Sequence, residues 1–569
     1  MPIDDALIAG WQARVLRAGA RLHWDHHQAV ARRHRGGASL AIAAPQDQLF
    51  LATEVNEWAL CAALVERDPV RWSRLEGLLV TEALQAAEGA ANPAARLPPV
   101  IDESAAFARF LHLSSVESQP KLRALIEAAA TCRLPYVIDE SELTLGAGVG
   151  GRDFSLAALP KVADVRWEEL RDIPTALVTG SNGKTTTVRI LAACARSHGW
   201  HAGYNCTDGV FLDDEALASG DYSGPAGARM VMRDRRTQAA ILETARGGIL
   251  RRGIAVSQAS TAVVTNVSSD HFGEYGIHDL TGLAQVKLAV AAAVGPNGLL
   301  VLNADDSRLR AQADELVRRF GHRPPLGWFS VNPDQQMLRE YRQGGASTCG
   351  VRAGRLHLSH DGAEHDLGLI SAMPLALDGI AVYNVANMAG AALAAVALGI
   401  PPTTIATVLA RFGANLNDNP GRMMRFAVRG VTILVDYAHN PDGLRGFLKV
   451  ADHLRGATGR LGLLLGHAGN RKDADIEELA QVAAEFQPDL VVVKEDEAHL
   501  RGRAPGEVPG IIRAELRRLG FPDSALPIAD SEVEAARYAL DWSRPGDVLA
   551  LPVHSSSARA AVVAMLEKR

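Results

Sequence analysis

The segment with the clearest chemical signature is VTGSNGKTTT at residues 178–187. An apolar run leads into a glycine turn, and Lys184 and Thr185 follow where a helix would begin. Glycines let the backbone approach phosphate oxygens, and free amides at a helix start donate to them. The lysine can neutralise nucleotide phosphates, and the threonine hydroxyl can bind Mg²⁺. The Gly-x-x-Gly-Lys-Thr spacing is shorter than that of the common phosphate-binding loop. The alternative is a structural glycine turn. The predicted phosphate-binding residues are Gly180, Ser181, Asn182, Gly183, Lys184, Thr185 and Thr186.

Two groups suited to metal binding follow other predicted strands. Glu243 comes directly after the run AAIL, and His271 follows the run TAVVTNV. Because the carboxyl ends of parallel strands meet at one edge of a sheet, both side chains should face the same phosphates. A carboxylate and an imidazole would then bind magnesium together with phosphate oxygens and water. Taken singly, Glu243 could equally be a capping or surface carboxylate, and His271 a hydrogen-bonded loop histidine.

Lys287 interrupts the otherwise apolar stretch LAQVKLAVAAAV of a helix predicted over residues 280–294. A buried ammonium group is costly, and magnesium nearby would also repel it. The residue therefore needs a partner or a change of charge. The alternative is a side chain that extends to the surface.

The elements that position these residues form three predicted domains. Residues 1–165 mix amphipathic helices with short apolar runs, and a glycine cluster near their end is interpreted as a linker. In residues 166–418, apolar runs alternate with helical patterns, which predicts a parallel sheet covered on both faces, with a small antiparallel insert at residues 345–369. Residues 419–569 predict a smaller, Rossmann-like α/β domain. The expected fold class is α/β, with a mixed α/β N-terminal domain and a central P-loop domain.

The composition is that of a folded, multidomain protein. The chain has 569 residues, 47% of them hydrophobic and 22% charged, and a net charge of −6, which argues against nucleic acid as its main partner. Its five cysteines have no paired spacing, so neither a disulfide framework nor a structural zinc site is expected. The longest apolar run, residues 388–400, is too short to span a bilayer, and no signal-peptide core is visible. We expect a cytoplasmic protein without a membrane partner, and the sequence leaves a homo-oligomer open.

An ordered series of motifs resembles the Mur ligase family, and within it the Mur-like half of cyanophycin synthetases. Besides the glycine loop, the motifs are TDGVFL (207–212), LETARGGILRRG (242–253), TNVSSDHFGEYGI (265–277), LNADD (302–306), YNVANMAGA (383–391), PGR (420–422), DYAHNPDGL (436–444), GNRKD (469–473) and KEDEAHLRGRAPGE (494–507). A glycine loop alone would be a weak signal, whereas this ordered set is specific.

The resemblance implies a role for each motif. Lys184 and Thr185 would hold ATP phosphates and magnesium, and Glu243 and His271 would be ligands of two magnesium ions. Lys287 matches a lysine that is carbamylated in the family, which turns a cation into a carboxylate-like magnesium ligand. The other implied nucleotide contacts are Asn384, Asn387, Arg422 and Asp436. The implied substrate contacts are Thr207, Asp208, Asn440, Arg471, Arg503 and Glu507.

The sequence also departs from cyanophycin synthetases. Those enzymes carry an ATP-grasp module before their Mur-like half, and residues 1–165 are too few for an N-terminal domain plus such a module. We therefore expect the aspartate-adding activity to be absent. The resemblance implies instead that the N-terminal block binds the carboxylate substrate.

The function implied is an ATP-dependent amide (peptide) bond ligase that forms ADP through an acyl phosphate. It would join an amino acid to a carboxylate of an acidic peptide or a cyanophycin-like acceptor, with closure of the C-terminal domain bringing Arg422 and Asp436 to the nucleotide. The alternatives are a P-loop NTPase switch that hydrolyses ATP without ligation and a pseudo-enzyme that serves as an assembly partner. The motifs DYAHNP and RGRAPGE argue against the switch, and the intact phosphate and magnesium residues argue against the pseudo-enzyme.

Overall fold

A computed structural model describes most of the chain, and the residues divide into two compact units. The described ranges are 4–24, 28–34, 37–68, 102–269, 274–332, 336–469, 471–495 and 500–568. The smaller unit comprises Met1–Leu145, Asp153–Leu170 and Gly273–His278. The larger unit comprises Gly146–Arg152, Arg171–Phe272 and Asp279–Arg569. The domain boundaries expected at residues 165 and 418 stay predictions.

The smaller unit combines helices with short strands. Its helices are α1 (Asp5–Arg21), α2 (Leu49–Arg67), α3 (Glu103–Glu117) and α4 (Pro120–Thr131). Its strands are β1 (Ala29–His34), β2 (Gly37–Ile42), β3 (Tyr136–Ile138), β4 (Glu142–Leu145) and β5 (Arg152–Ser155), the last beginning on a residue of the larger unit. The apolar faces of α1, α2 and α3 bury Trp11, Trp58 and Phe110 in one cluster, which gives this unit a core of its own.

The first half of the larger unit is a large sheet with helices. Its strands are β6 (Thr175–Thr179), β7 (Ala202–Cys206), β8 (Gly209–Leu212), β9 (Glu215–Ser219), β10 (Ala239–Glu243), β11 (Ala259–Val264), β12 (Val294–Asn303), β13 (Leu326–Ser330), β14 (Thr348–Arg352), β15 (Arg355–His360) and β16 (Ala363–Leu369). Its helices are α5 (Lys184–Ser197), α6 (Pro225–Arg233), α7 (Arg246–Arg252), α8 (Leu280–Lys287), α9 (Ser307–Ala313), α10 (Leu316–Phe320), α11 (Gln336–Gln343), α12 (Val382–Ala397) and α13 (Pro402–Leu409).

The strands of this sheet run in the order β16-β15-β14-β13-β12-β11-β6-β10-β7-β8-β9. The pairs from β14 through β7 are parallel, which confirms the predicted central parallel sheet. Strand β6 lies between β10 and β11, so the loops that follow these three strands meet at one edge. That edge therefore brings the glycine loop next to Glu243 and to the segment after β11.

Two details differ from the sequence-based expectation. The strands within residues 345–369 are antiparallel as predicted, but β14 pairs in parallel with β13, so they extend the main sheet rather than form a separate insert. The helix predicted over residues 280–294 ends at Lys287; a 3₁₀ segment, Leu288–Ala293, follows and leads into β12.

The second half of the larger unit has a smaller sheet in the order β17-β18-β22-β19-β20-β21. Its strands are β17 (Met424–Val428), β18 (Val431–Asp436), β19 (Leu461–Leu465), β20 (Leu490–Lys494), β21 (Ile528–Ala529) and β22 (Val548–Pro552). Its helices are α14 (Pro441–Arg455), α15 (Asp473–Ala484), α16 (Glu507–Arg518), α17 (Glu532–Trp542) and α18 (Ser556–Glu567). Separate apolar clusters cover the two faces, as the alternating pattern predicts, but the antiparallel strand β17 makes the sheet mixed.

Helix α12 is the Ala-rich helix that the apolar run at residues 388–400 predicts. Its residues from Ala389 to Ala395 are almost entirely buried against α5 and the strands of the large sheet. Within the described ranges, no helix combines the length and the apolar character needed to cross a membrane.

Candidate active site

The glycine loop has the conformation that its sequence predicts. It begins after β6 ends at Thr179, and α5 starts at Lys184. Gly183 has a φ of 83°, in the left-handed region, and a Cβ there would lie 2.1 Å from Asn387 Oδ1. A Cβ at Gly180 would lie 1.8 Å from Thr265 Oγ1. Both positions therefore require glycine, because neighbouring polar side chains contact the backbone.

The segment after β11 holds this loop in place. The Asn182 amide donates to Asn266 Oδ1 (2.9 Å), and Thr265 Oγ1 donates to the Asn182 carbonyl (2.6 Å). The hydroxyl of Ser181 donates to the Ser268 carbonyl (3.0 Å) and accepts from the Ser268 amide (3.0 Å). Thr265, Asn266 and Ser268 were not among the predicted site residues, although their motif TNVSSDH follows a predicted strand.

Two predicted metal ligands meet at the start of α5. Thr185 Oγ1 donates to Glu243 Oε2 (2.8 Å), and Thr207 Oγ1 donates to Glu243 Oε1 (3.2 Å). Burial raises the pKa of Glu243, and the nearby Lys184 charge and the Thr185 hydrogen bond oppose that effect. The Lys184 ammonium group donates to the Ser181 carbonyl (3.1 Å) in its own loop. A carboxylate, a hydroxyl and a cation are thus placed around the loop.

Of the other two predicted metal ligands, His271 and Lys287, the structure describes only Lys287. Asp270 and His271 lie outside the described residues, so the ligand role of His271 stays a prediction. Lys287 is the last residue of α8 and is 3% exposed, which agrees with the buried position expected for it. Helix α8 packs against α7 and α9. Carbamylation of Lys287 likewise stays a prediction.

A cavity of about 320 Å³ opens beside the glycine loop. Its wall includes Asn384 and Asn387 from α12 and, from the C-terminal half of the unit, Arg422 and Asp436. Asn387 Nδ2 donates to Asn384 Oδ1 (3.3 Å), and Asn384 Nδ2 donates to the Leu375 carbonyl (3.2 Å). The four residues that are predicted to contact the nucleotide outside the glycine loop therefore line the same cavity as that loop.

Arg422 and Asp436 are held by their own loop and strand. The Arg422 guanidinium stacks on the Tyr437 ring, 4.2 Å from its centroid. Asp436 Oδ2 accepts from the Met423 amide (2.7 Å). Burial raises the pKa of Asp436, and the positive charge of Arg422 opposes the shift. The cavity thus has the glycine loop on one wall and a buried acid with a cation on the other.

The two predicted substrate residues next to this cavity have polar partners within the protein. Thr207 donates to Glu243, as described above. Asp208 accepts from Arg189 Nη2 (2.8 Å) and from Arg559 Nη2 (2.5 Å), one through each carboxylate oxygen. Burial raises the pKa of Asp208, but the charges of Arg422, Arg189 and Arg559 outweigh it and lower the pKa overall.

Asn440 contacts the glycine loop, and its predicted role in binding an amine substrate stays a prediction. Its side chain donates to Asn182 Oδ1 (2.8 Å) and accepts from Asn182 Nδ2 (3.2 Å). Asn440 Oδ1 also caps α14 by accepting from the Gly443 amide (2.9 Å). The Asn440 side chain therefore joins the glycine loop to the first turn of a C-terminal helix.

Arg471, Arg503 and Glu507 form a separate group. Arg503 donates to the carbonyl of Arg471 (2.7 Å), to Glu507 Oε1 (2.6 Å) and to Asp473 Oδ1 (2.6 Å). The Arg503 guanidinium thus ties the loop before α15 to the start of α16. Their predicted role in binding an amine substrate stays a prediction.

Two models of one family match the larger unit. The Mur ligase middle domain matches residues 178–395. The Mur ligase, glutamate ligase domain matches residues 421–551. Together the two matches span the glycine loop, the cavity wall and the C-terminal sheet.

Known proteins with similar sequences are ligases and synthetases by name. The cyanophycin synthetase of Trichormus variabilis is 35% identical over 395 residues, which are 69% of this chain and 42% of that protein. The chain thus spans about two fifths of the length of that synthetase. The UDP-N-acetylmuramoyl-L-alanyl-D-glutamate–2,6-diaminopimelate ligase of Alkalilimnicola ehrlichii is 30% identical, and the match covers 65% of this chain and 69% of that ligase.

A solved structure shares the fold. The complex of E. coli FolC with DHPP and ADP has a TM-score of 0.52 at 19% sequence identity, and the match covers 70% of this chain and 89% of FolC. The two matched domains and the similar sequences cover the same residues as the ordered motifs and the cavity. The chain therefore belongs to the Mur ligase family.

Proposed function

We propose that this chain is an ATP-dependent amide ligase that forms ADP through an acyl phosphate. The observation that carries the proposal is the cavity whose wall combines the glycine loop with Arg422 and Asp436. A nucleotide with its triphosphate against Lys184 would contact both halves of the larger unit. Membership of a family of ligases supports the reaction class.

The side chains near the loop fit a magnesium–nucleotide complex. Among the described residues, no three His, Cys, Asp or Glu side chains group together as metal ligands. Thr185 and Glu243 supply one hydroxyl and one carboxylate, which suits Mg²⁺ because this ion keeps several waters and binds substrate phosphates. Magnesium bound there would screen the negative charge of the phosphates.

In the proposed first step, a carboxylate oxygen of the acceptor attacks the γ-phosphorus of ATP. The bond to the β,γ-bridging oxygen breaks, and ADP leaves with that electron pair. Two anions must approach each other, and the Lys184 ammonium group offsets their repulsion. The amides at the start of α5 would donate to the phosphates. Asn387 lies against Gly183 and leaves no room for a side chain there.

In the second step, a neutral amine attacks the carbonyl carbon of the acyl phosphate. The tetrahedral intermediate expels phosphate, and the nitrogen loses a proton as the amide forms. The main contribution of the protein is to bring three reactants together, which in favourable cases removes up to about 7–11 kcal/mol of the barrier. Closure of the C-terminal half over the nucleotide, with Asp436 and Arg422 on the nucleoside side, would complete this arrangement.

We propose that Lys287 acts as a carbamate. The neutral amine would attack CO₂ and lose a proton, which replaces a cation with an anion. Lys287 is 3% exposed, and its match to a lysine that is carbamylated in the family supports this proposal. Together with Glu243 and His271, the carbamate would be a ligand of a second magnesium ion.

We propose an amino acid as the amine and an acidic peptide or cyanophycin-like polymer as the acceptor. The similarity to cyanophycin synthetases supports this choice. The smaller unit is the candidate for acceptor binding.

A phosphate-release screen of the full chain tests the proposal. The protein is incubated with ATP, Mg²⁺, acidic peptides and each of the twenty amino acids, and product mass is measured in parallel. We expect phosphate release that needs both an acceptor and an amine, together with a product joined by loss of water, and neither with Lys184→Ala. Phosphate release that is independent of any amine, without a joined product, would instead support the NTPase switch.

A further inference from the structure

A buried ion pair that the proposed mechanism does not use lies at the carboxyl edge of the C-terminal sheet. Lys494 ends β20 and is fully buried, and Glu532 begins α17 with its side chain 5% exposed. The Lys494 ammonium group donates to Glu532 Oε1 and to the Pro552 carbonyl at the end of β22 (2.7 Å). A buried ion pair contributes little net stability, because the cost of removing both charges from water offsets their attraction. Stability alone therefore does not explain why both charges are buried here.

The Glu532 carboxylate holds the turn that follows β22. Its Oε1 accepts from the His554 amide (2.8 Å), and its Oε2 accepts from the Ser555 amide (2.9 Å). Two successive backbone amides and one ammonium group thus share a single carboxylate, and both of its oxygens have partners. Hydrogen bonds to an ionised acceptor are stronger than those between neutral groups. The carboxylate therefore fixes the backbone at residues 554–555.

The first residue held in this way supports the cavity wall. The His554 side chain is 10% exposed, and burial together with the nearby Lys494 charge lowers its pKa well below the ordinary value. The ring is therefore neutral, and its Nε2 donates to the Ala438 carbonyl (3.1 Å). The same ring lies edge-on to the Tyr437 ring, with 5.4 Å between the centroids. Because Tyr437 and Ala438 line the cavity beside the glycine loop, His554 supports that wall.

The second residue held by Glu532 begins helix α18. Ser555 is the N-cap of α18, and its hydroxyl accepts from an amide of the first helical turn (3.4 Å). One turn further along, Arg559 donates to Asp208 Oδ1 (2.5 Å) and thereby reaches the first half of the larger unit. A Cβ at Gly421 would lie 2.5 Å from Arg559 Cδ, so the connection between the halves packs directly against this side chain. A displacement of the turn after β22 would therefore displace Arg559 as well.

We propose that Glu532 is a positioning residue for ligation, whose carboxylate holds the cavity wall through His554 and the contact between the two halves through Arg559. The proposal rests on the proposed function, since it concerns the cavity in which that reaction would occur. Glu532 itself contacts neither substrate nor nucleotide in this role. Lys494 supplies the opposite charge that allows a carboxylate to be buried at the turn.

Hydrogen exchange of the full chain without substrates tests the positioning directly. In Glu532→Gln, an NH₂ group replaces one carboxylate oxygen, so one backbone amide of the turn loses its acceptor. Peptides that cover residues 436–440 and 554–559 should exchange at least about tenfold faster than in the wild type, while peptides of the smaller unit should not change. Glu534→Gln, at an exposed residue of the same helix, is the matched control. Unchanged exchange at residues 436–440 in Glu532→Gln would overturn the proposal.

Kinetics and thermal unfolding together separate positioning from stability. Glu532→Gln should lower kcat about 10- to 100-fold, because small displacements of an active site have effects of this size. It should also lower Tm, because Lys494 is left buried without an opposite charge. The double variant Lys494→Met/Glu532→Gln removes that charge and should regain most of the Tm but keep the low kcat. A kcat that recovers together with Tm would assign the pair to stability alone and overturn the proposal.

Two substitutions at His554 test the support of the cavity wall. His554→Gln keeps an N–H group for the Ala438 carbonyl, whereas His554→Phe keeps the ring beside Tyr437 but loses that donor. We expect His554→Gln to retain most of the wild-type kcat and His554→Phe to lose about tenfold, because the buried carbonyl is left without its partner. A wild-type kcat in His554→Phe would contradict the proposal.

Arg559→Ala, made in the wild type and in Glu532→Gln, tests the contact between the halves. Its effect on kcat should be much smaller in Glu532→Gln, because Arg559 is already displaced there. Equal factors in the two backgrounds would show that Glu532 does not position Arg559, against the proposal. If the wild type ligates no acceptor and amine, the proposed function itself fails. If the wild type ligates and Lys494→Met/Glu532→Gln has the same kcat, this proposal alone fails.

Discussion

Asp208 and Arg559 form an ion pair of 2.5 Å between residues that are 351 positions apart in the sequence. Asp208 follows β7 of the large sheet, and Arg559 lies on α18 of the C-terminal half. The side chains are 13% and 9% exposed, so water screens the pair little. Arg189 from α5 binds the other Asp208 oxygen and also donates to the Pro420 carbonyl (2.9 Å). Asp208 therefore joins the two halves of the larger unit at the connection between them.

We predict that Asp208→Ala and Arg559→Ala each reduce ligation at least about tenfold, because each removes one partner of a buried ion pair and weakens the contact between the two halves. The double variant should be little worse than either single variant, with a coupling energy of about 1–3 kcal/mol. Phosphate-release rates of the wild type, the two single variants and the double variant give this coupling energy.

Glu567→Gln, at an exposed position on the same helix, is the control and should keep full activity. Strictly additive losses in the double variant would show that the ion pair does not join the two halves energetically.

The stability that the Asp208 ion pairs contribute should decrease at low pH. Its pKa is lowered in the folded protein, so the stabilisation is complete above the ordinary carboxylate pKa and is lost as the pH falls through the folded value. The difference in Tm between wild type and Asp208→Asn should be constant from about pH 6 to 8 and should shrink in acid. Thermal scans across pH check this, and a difference that grows in acid would contradict it.

Lys184→Ala and Lys287→Ala should each abolish ATP-dependent ligation. The first removes the cation at the phosphates, and the second removes the proposed carbamate ligand. Phosphate release with the best substrate pair is the measurement, and Lys449→Ala, at an exposed helix position, is the control. Near-normal turnover in either active-site variant would refute the role assigned to that lysine.

Glu243→Gln should raise the magnesium concentration needed for half-maximal activity by at least about tenfold. The amide keeps an oxygen that can accept from Thr185 but loses the charge that attracts the ion. A magnesium titration of phosphate release, with exposed Glu140→Gln as the control, measures the shift. An unchanged magnesium requirement would exclude Glu243 as a ligand.

Two substitutions at Asn440 should separate its two contacts. Asn440→Ala removes the cap of α14, at a cost of about 1 kcal/mol in stability, as well as the pairing with Asn182. Asn440→Asp keeps an acceptor for the cap but cannot donate to Asn182 Oδ1. We expect both variants to lose turnover and only the alanine variant to lose Tm; full turnover in Asn440→Asp would show that the amide pair is dispensable.

The sequence alone predicted the local features of this chain. The glycine loop, the parallel strands and the buried Ala-rich helix follow from spacing and from hydrophobic periodicity, because these patterns act over a few neighbouring residues. The order of the motifs was enough to identify the family. The sequence also predicted that Thr185 and Glu243 lie close together, because adjacent parallel strands end at the same edge of a sheet.

The tertiary structure decided which distant side chains pair. Asp208 resembled a substrate contact in the sequence, but its partners, Arg189 and Arg559, come from helices far apart in the chain. Asn440 pairs with Asn182 of the glycine loop, and Tyr383 has a buried hydroxyl in the cavity wall. Long-range pairing depends on how whole elements pack, and neither residue type nor spacing along the chain records that packing.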